Sequence, residues 1–173
     1  ITTMYINEQM DAGDVILKQE VEIGDYETLG EVWKKLSKVG ADLLLETLKQ
    51  IENGTAPRVP QTGEPTYAPM LSKDIAKIDW QNMNATKIKD LVRGLNPIMG
   101  AYSYLNGEKV KFWKTKVVSI NDFVERINEF EEFKNRLYGL EPGTIVFSDE
   151  KQGLFVKAKE DILQIEELQV PNN

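Results

Sequence analysis

Four prolines, Pro57, Pro60, Pro65 and Pro69, fall with Gly63 inside the seventeen residues Thr55–Leu71. Each proline ring fixes φ and removes a backbone N–H, so at this density neither a regular helix nor a central strand can run through the segment. The chain must fold in two pieces around it. We assign one domain to residues 1–54, a semi-extended proline-rich linker to 55–72 and a second domain to 73–173.

A content of 41% hydrophobic and 28% charged residues is that of a globular chain. No apolar run approaches the roughly 20 residues that cross a bilayer, and the first residues lack a basic-then-apolar signal pattern. No membrane partner and a cytoplasmic location are expected. Cysteine and histidine are both absent. The first absence excludes disulfides, thiolate nucleophiles and Cys-based zinc sites, and the second removes the commonest general base near neutral pH and the commonest metal ligand. The carboxylates show no spacing that forms an oxygen cage, so no metal is expected.

A net charge of −7 argues against a nucleic-acid partner, but its distribution changes that judgement. Residues 1–65 carry six basic and twelve acidic side chains, whereas 66–173 carry fifteen and sixteen. Within 87–116, Lys87, Lys89, Arg93, Lys109, Lys111, Lys114 and Lys116 face only Asp90 and Glu108, a local +5. From pattern alone such a charged face is also what a solvated surface looks like.

In the first domain, Thr2–Ile6 and Val15–Val21 read as strands around an Asp- and Gly-containing turn. Leu29, Val32, Leu36, Val39 and Leu43, extended by Trp33, Leu44, Leu48 and Ile51, predict an amphipathic helix. Thr28 with Glu31 forms its capping box and Asn53-Gly54 its stop. The helix is expected to pack on a sheet most of which lies upstream of Ile1, which makes the chain the second part of a larger protein.

In the second domain, Lys77–Trp80 reads as a short strand and Ala85–Arg93 as a helix ended by Gly94 and Pro97. Ala101–Leu105, Lys109–Ser119, Thr144–Phe147, Leu154–Ala158 and Ile162–Leu168 are strand candidates, with turns at Asn106-Gly107 and around Asp149–Gly153. Five strands and a helix suit an OB-like barrel. In the second strand, Val110 and Phe112 share a face opposite Lys109 and Lys111, and then Trp113, Thr115 and Val117 oppose Lys114 and Lys116. That inversion predicts a β-bulge near Phe112-Trp113 that keeps all four lysines outside. Phe123, Ile127, Phe130 and Leu137 predict an inserted helix, and Trp80 and Trp113 are assigned to the core.

The ordered set Met10-Asp11-Ala12-Gly13-Asp14-Val15-Ile16, Tyr67-Ala68-Pro69-Met70-Leu71-Ser72-Lys73, Ile78-Asp79-Trp80, Arg93-Gly94-Leu95-Asn96-Pro97, Glu141-Pro142-Gly143-Thr144-Ile145 and Glu166-Glu167-Leu168-Gln169 resembles the C-terminal half of the methionyl-tRNA formyltransferase family. The resemblance implies the tail of a Rossmann-like formyltransferase domain, an α/β fragment, followed by a mostly-β, OB-like domain. It implies 10-formyltetrahydrofolate as co-substrate and methionyl initiator tRNA as partner. Of the family's catalytic Asn, His and Asp, only the Asp has a counterpart, Asp11, whose role would be to orient the missing His. The backbone of Ala12, Gly13 and Asp14 would line the folate pocket, and Lys87, Arg93, Lys109, Lys111, Lys114 and Lys116 would contact tRNA. By itself this chain would have negligible formyltransferase activity.

The sequence departs from the family at Pro97-Ile98-Met99-Gly100-Ala101, where members carry a Pro-Trp-Pro-Gly-Ala-like run. The segment Asn121–Tyr138 is longer than usual, and the chain stops before the family's final segment, as if both ends were trimmed. Two alternatives stay open. One is a related sugar-nucleotide formyltransferase or formyltetrahydrofolate-hydrolysing domain. The other is a non-catalytic RNA- or protein-binding OB module in which Asp11 and Asp14 are only turn residues.

Overall fold

β-Branched residues at Thr2, Thr3, Val15 and Ile16 favour extended backbone. In the computed structural model, which describes residues 1–127 and 131–171, strand β1 (Thr2–Met4) pairs antiparallel with β2 (Val15–Lys18) in the register Thr2 to Lys18 and Thr3 to Leu17. Both strands are shorter than the Thr2–Ile6 and Val15–Val21 expected. The ladder holds only two strands among the described residues, and extended structure stops where this pairing stops.

Helix α1 (Leu29–Glu52) begins at the expected capping box. The Glu31 N–H donates to Thr28 Oγ1, while the Glu31 carboxylate accepts from the Thr28 N–H and hydroxyl at 2.8 Å each. Those bonds, the backbone one first, hold the Glu31 carboxyl below its ordinary pKa. Leu29, Val32, Leu36, Val39 and Leu43 are half-buried and Thr47 is buried. Thr47 joins the helix to β1 through a 2.9 Å hydroxyl bond to Thr3. Trp33, Leu44, Leu45 and Leu48 lie on another side and stay exposed, so the helix carries two apolar stripes rather than one. Packing divides the chain into units Ile1–Met70 and Leu71–Asn173.

In the second unit, the strand expected at Lys77–Trp80 is a 3-10 turn (Asp74–Ala76) followed by a single parallel bridge from Lys77 to Tyr102. The Asp79 carboxylate accepts from the Asn82 side chain at 2.8 Å and from its N–H, which turns the chain before a ladder can extend. Helix α2 (Ala85–Leu95) is capped by Asn84 accepting from the Lys87 N–H and buries Ala85, Ile88, Val92 and Leu95. Gly94 lies inside the helix. The stop is set by Pro97, which forces Asn96 into extended backbone.

Strands β3 (Ala101–Leu105), β4 (Glu108–Val118), β5 (Ile145–Asp149), β6 (Gly153–Lys157) and β7 (Ile162–Gln169) form one antiparallel sheet in the order β3-β4-β7-β6-β5. The sheet curls until Gly143, just before β5, meets the Trp80 ring that hydrogen-bonds Ser103 of β3. No β3–β5 ladder closes it among the described residues, so the sheet is open rather than a closed barrel. The β4–β7 register shifts between Phe112 and Thr115, where a bulge is expected. Val110 and Phe112 are buried before it, Thr115 and Val118 after it. Lys109, Lys114 and Lys116 are exposed and Lys111 is half-buried.

Two apolar clusters result. The first joins α2 to the sheet and includes Ile88, Val92, Phe112 and Leu163, with Trp80 partly buried against it. The second joins Val118, Phe155 and Ile162 to Phe123 and Val124 of α3 (Ile120–Arg126) and to Leu137 of α4 (Glu131–Tyr138). The inserted segment is thus two helices where one is expected, and Phe130 lies outside the described residues. Trp113 is half-buried instead of core, its indole N–H donating to Gln169 Oε1 at 3.1 Å.

Phe123 is fully buried and packs 5.0 Å from the Phe155 ring centroid. Phe123→Ala should cost about 3–5 kcal/mol in urea unfolding. Lys157 is buried, with its amine donating to the carbonyls of Ala158 and Lys159. Burial holds its pKa below the ordinary 10.5, against the opposing pull of Asp161 and Glu160. The folded chain therefore releases this proton before the unfolded one, and the site's stability rises as pH climbs through the folded pKa toward 10.5. Unfolding measured from about pH 7 to about pH 10 should show wild type gaining stability relative to Lys157→Met.

Candidate functional site

The loop between β1 and β2 is exposed at its tip, with Met10 at 92% and Asp11 open to solvent, yet its backbone is tightly held. The Tyr5 N–H donates to the Asp14 carbonyl at 2.9 Å and Asn7 Nδ2 to the Ala12 carbonyl at 3.0 Å. Gln61 Nε2 donates to the carbonyls of Asp11 at 2.9 Å and Gly13 at 2.8 Å. Four consecutive carbonyls are thereby satisfied. Among the described residues the N–H groups of Gly13 and Asp14 find no acceptor, while that of Ala12 closes the turn at Met10-Asp11 toward the Gln9 carbonyl.

Asp11 sits in the left-handed region at φ 55°, which Asp tolerates better than most side chains. Gly13 is required for a different reason. A Cβ there would lie 1.6 Å from the Tyr5 carbonyl oxygen, and that neighbour is backbone and cannot swing aside. Asp14 lies 3.5 Å from Arg58 Nη1, and the Arg58 guanidinium sits 3.7 Å over the Tyr5 ring. Val59 forms a two-way backbone bridge with Val15.

The proline-rich segment is therefore docked on the Asp11 loop through residues 58–61. Sequence reasoning identified Asp11 to Asp14 but missed Tyr5, Asn7, Arg58 and Gln61. Arg58 and Gln61 stand more than forty residues from the loop in a segment without periodicity. The Asn7 and Tyr5 contacts had a readable signal, since an Asn two residues before Gln9 is a turn former, and its Oδ1 accepts from the Gln9 N–H.

The six basic residues singled out in the second unit are not equivalent. Arg93 Nε donates to Asp90 at 2.7 Å and Lys114 lies 3.2 Å from Glu166. Lys87 is at the exposed start of α2, and Lys116 is exposed near the far end of β4. Lys109 and Lys111 sit on the β3–β4 hairpin. Lys109 Nζ is 3.6 Å from the Tyr102 ring centroid and Lys111 Nζ is 5.4 Å from that of Trp113. The departure loop at Pro97–Gly100 lies beside Trp113, whose ring would be 2.8 Å from a Cβ at Gly100, a residue at φ 68°. Among the described residues no three acidic side chains converge as a metal cage would require.

The profile of the family "Formyl transferase, C-terminal domain" matches residues 70–173. The chain is 42% identical over 170 residues to the methionyl-tRNA formyltransferase of Carboxydothermus hydrogenoformans, an alignment covering 98% of this chain and 49% of that protein. It thus spans about half the length of the curated relatives it matches. Among solved structures, HypX from Aquifex aeolicus in complex with tetrahydrofolic acid superposes at a TM-score of 0.64, with 16% identity, over 99% of this chain and 27% of HypX. Methionyl-tRNA formyltransferase from Clostridium thermocellum superposes at 0.53, with 18% identity, over 68% of this chain and 50% of that one. These likenesses concern the fold. No helix among the described residues is long and apolar enough to cross a membrane. With its profile matched from residue 70 to residue 173, the chain belongs to the formyl transferase family.

Proposed function

We propose that this chain forms the C-terminal half of a cytoplasmic methionyl-tRNA formyltransferase. In this reading residues 1–54 end a Rossmann-like catalytic domain, 55–72 connect, and 73–173 form an OB-like domain that holds the tRNA. The observation that carries the proposal is the Asp11 loop. It combines an exposed carboxylate with two backbone N–H groups, of Gly13 and Asp14, that have no acceptor among the described residues, within a chain 42% identical to a methionyl-tRNA formyltransferase.

The reaction joins the methionyl α-amine to the formyl carbon of 10-formyltetrahydrofolate and passes through a tetrahedral oxyanion. It then breaks the bond from that carbon to N10, which leaves as the protonated tetrahydrofolate amine. One proton must leave the attacking amine and one must reach N10. With no histidine in its sequence, this chain contributes Asp11 as the carboxylate that orients and polarises an imidazole from the rest of the enzyme. In the backbone of Ala12, Gly13 and Asp14, the N–H groups of Gly13 and Asp14 suit a ligand rich in carbonyl and ring-nitrogen acceptors, as the pterin of folate is. Lys109 and Lys111 on the hairpin, with Lys87 and Lys116, supply contacts to tRNA phosphates, while Arg93 and Lys114 do so from within ion pairs.

In the full-length protein, Asp11→Asn should lower formyl transfer from 10-formyltetrahydrofolate to methionyl initiator tRNA by about 100-fold or more, because the base loses its orienting charge. A variant as active as wild type would reduce Asp11 to a turn residue, and an intact protein inert toward methionyl-tRNA would refute the acceptor. Replacing Lys109 and Lys111 together by Ala should flatten the dependence of log K for tRNA on log salt by about two phosphate contacts. An unchanged slope would remove the hairpin from the tRNA interface.

A further inference from the structure

The feature that neither the family resemblance nor the periodicity of the sequence assigns is the side chain of Gln61. It donates to two carbonyls of one loop, at 2.9 Å to Asp11 and 2.8 Å to Gly13. Both partners are acceptors only, so the amide nitrogen, not its oxygen, must face them. The side chain is carried to that point by its neighbours. Val59 is bridged to Val15 through N–H to O bonds of 2.8 and 3.0 Å, and Arg58 packs on Tyr5 beside Asp14.

The consequence follows from the planarity of the peptide group. In a trans peptide the C=O of one residue and the N–H of the next point in opposite directions. Drawing the Asp11 carbonyl toward Gln61 therefore sends the Ala12 N–H away from it, and drawing the Gly13 carbonyl in does the same for the Asp14 N–H. The Ala12 N–H so directed closes the turn at Met10-Asp11 toward the Gln9 carbonyl, and the Asp14 N–H lacks an acceptor among the described residues. The Asp11 backbone sits at φ 55°, a conformation that is uncommon without glycine and that sets the direction in which its carboxylate leaves the loop.

We infer that Gln61 is a positioning residue for formyl transfer. It clamps the Asp11 and Gly13 carbonyls, holding the turn that aims the Asp11 carboxylate and the Asp14 N–H at the reacting ligands. The inference rests on the assignment of Asp11 to that reaction. Gln61 touches no reacting atom; it acts through the loop.

The test is steady-state formyl transfer by the full-length protein carrying Gln61→Met, which keeps the length of the side chain and removes the donor. Gln61→Glu, Asp11→Asn and the Asp11→Asn/Gln61→Met pair are measured beside it, with the amide resonances of Ala12 and Asp14 as a second readout. The expected result is a fall in kcat of about tenfold or more for both Gln61 variants, at little change in KM for methionyl-tRNA. In the Asp11→Asn background Gln61→Met should cost nothing further, and the two amide resonances should shift. Unchanged kcat, losses that multiply with that of Asp11→Asn, or failure of both Gln61 variants to fold would each overturn the positioning role. If Asp11→Asn itself is fully active, the assignment of Asp11 to the reaction falls and the positioning role with it, and unmoved amide resonances would then overturn the clamp as well.

Discussion

The pairing of β4 with β7 governs the second unit, because each of these strands must serve two cores and a charged surface at once. A regular strand from Glu108 to Val118 with Val110 and Phe112 inward would also turn Lys114 and Lys116 inward. Burying two unpaired ammonium groups costs several kcal/mol each, far more than the ladder bond lost at a bulge. The register shift between Phe112 and Thr115 resolves the conflict. It is not free of cost, since the Thr115 hydroxyl it turns inward is buried without a hydrogen-bond partner. Trp113, next after the inward Phe112, lies on the other side of the strand, where Gln169 takes the indole N–H and Gly100 leaves room for the ring.

A comparable constraint shapes the first unit on a smaller scale. The β1–β2 loop closes by backbone contact so tight that only glycine fits at position 13. The four carbonyls of Asp11 to Asp14 are engaged by Tyr5 and Asn7 on one side of them in sequence and by Gln61 on the other. An exposed two-strand hairpin has little intrinsic stability. These contacts, with the Thr3–Thr47 hydroxyl bond to α1, are what keep an otherwise solvent-facing loop in one conformation. The proline-rich segment therefore has a second use besides separating the two units: its stiffness lets residues 58–61 lie along the loop at low entropic cost.

What the sequence made legible is what local pattern determines. The Thr28–Glu31 capping box, α2, the five strands of the sheet and the bulge in β4 each depend on residues within a few positions of one another. The failures come from a neighbour that outweighs the local pattern or from a partner far along the chain. Lys77–Trp80 has strand composition, but Asn82 bonds to Asp79 and bends it. Gly94 looked like a terminator, but helix α2 runs through it to the residue before Asn96-Pro97. Trp113 has the residue type of a core position, and only the pairing of β4 with β7 shows which side it takes. The Gln61 clamp spans fifty residues and leaves no local trace.

The same distinction orders the basic residues. By count the stretch from Lys87 to Lys116 is uniformly positive, but in the fold its charge is not evenly available. Lys114 faces Glu166 and Arg93 faces Asp90, so a phosphate approaching either must compete with a carboxylate already in place. Lys109 and Lys111 rest on aromatic rings instead. An exposed cation–π contact is worth only about 0.5–1 kcal/mol, and a charge-assisted hydrogen bond to phosphate exceeds it. These two lysines can leave their rings for an anion without stranding a counter-charge. On electrostatic grounds the tip of the β3–β4 hairpin, rather than the β4–β7 half of the sheet, is the part of this surface best prepared to meet a polyanion.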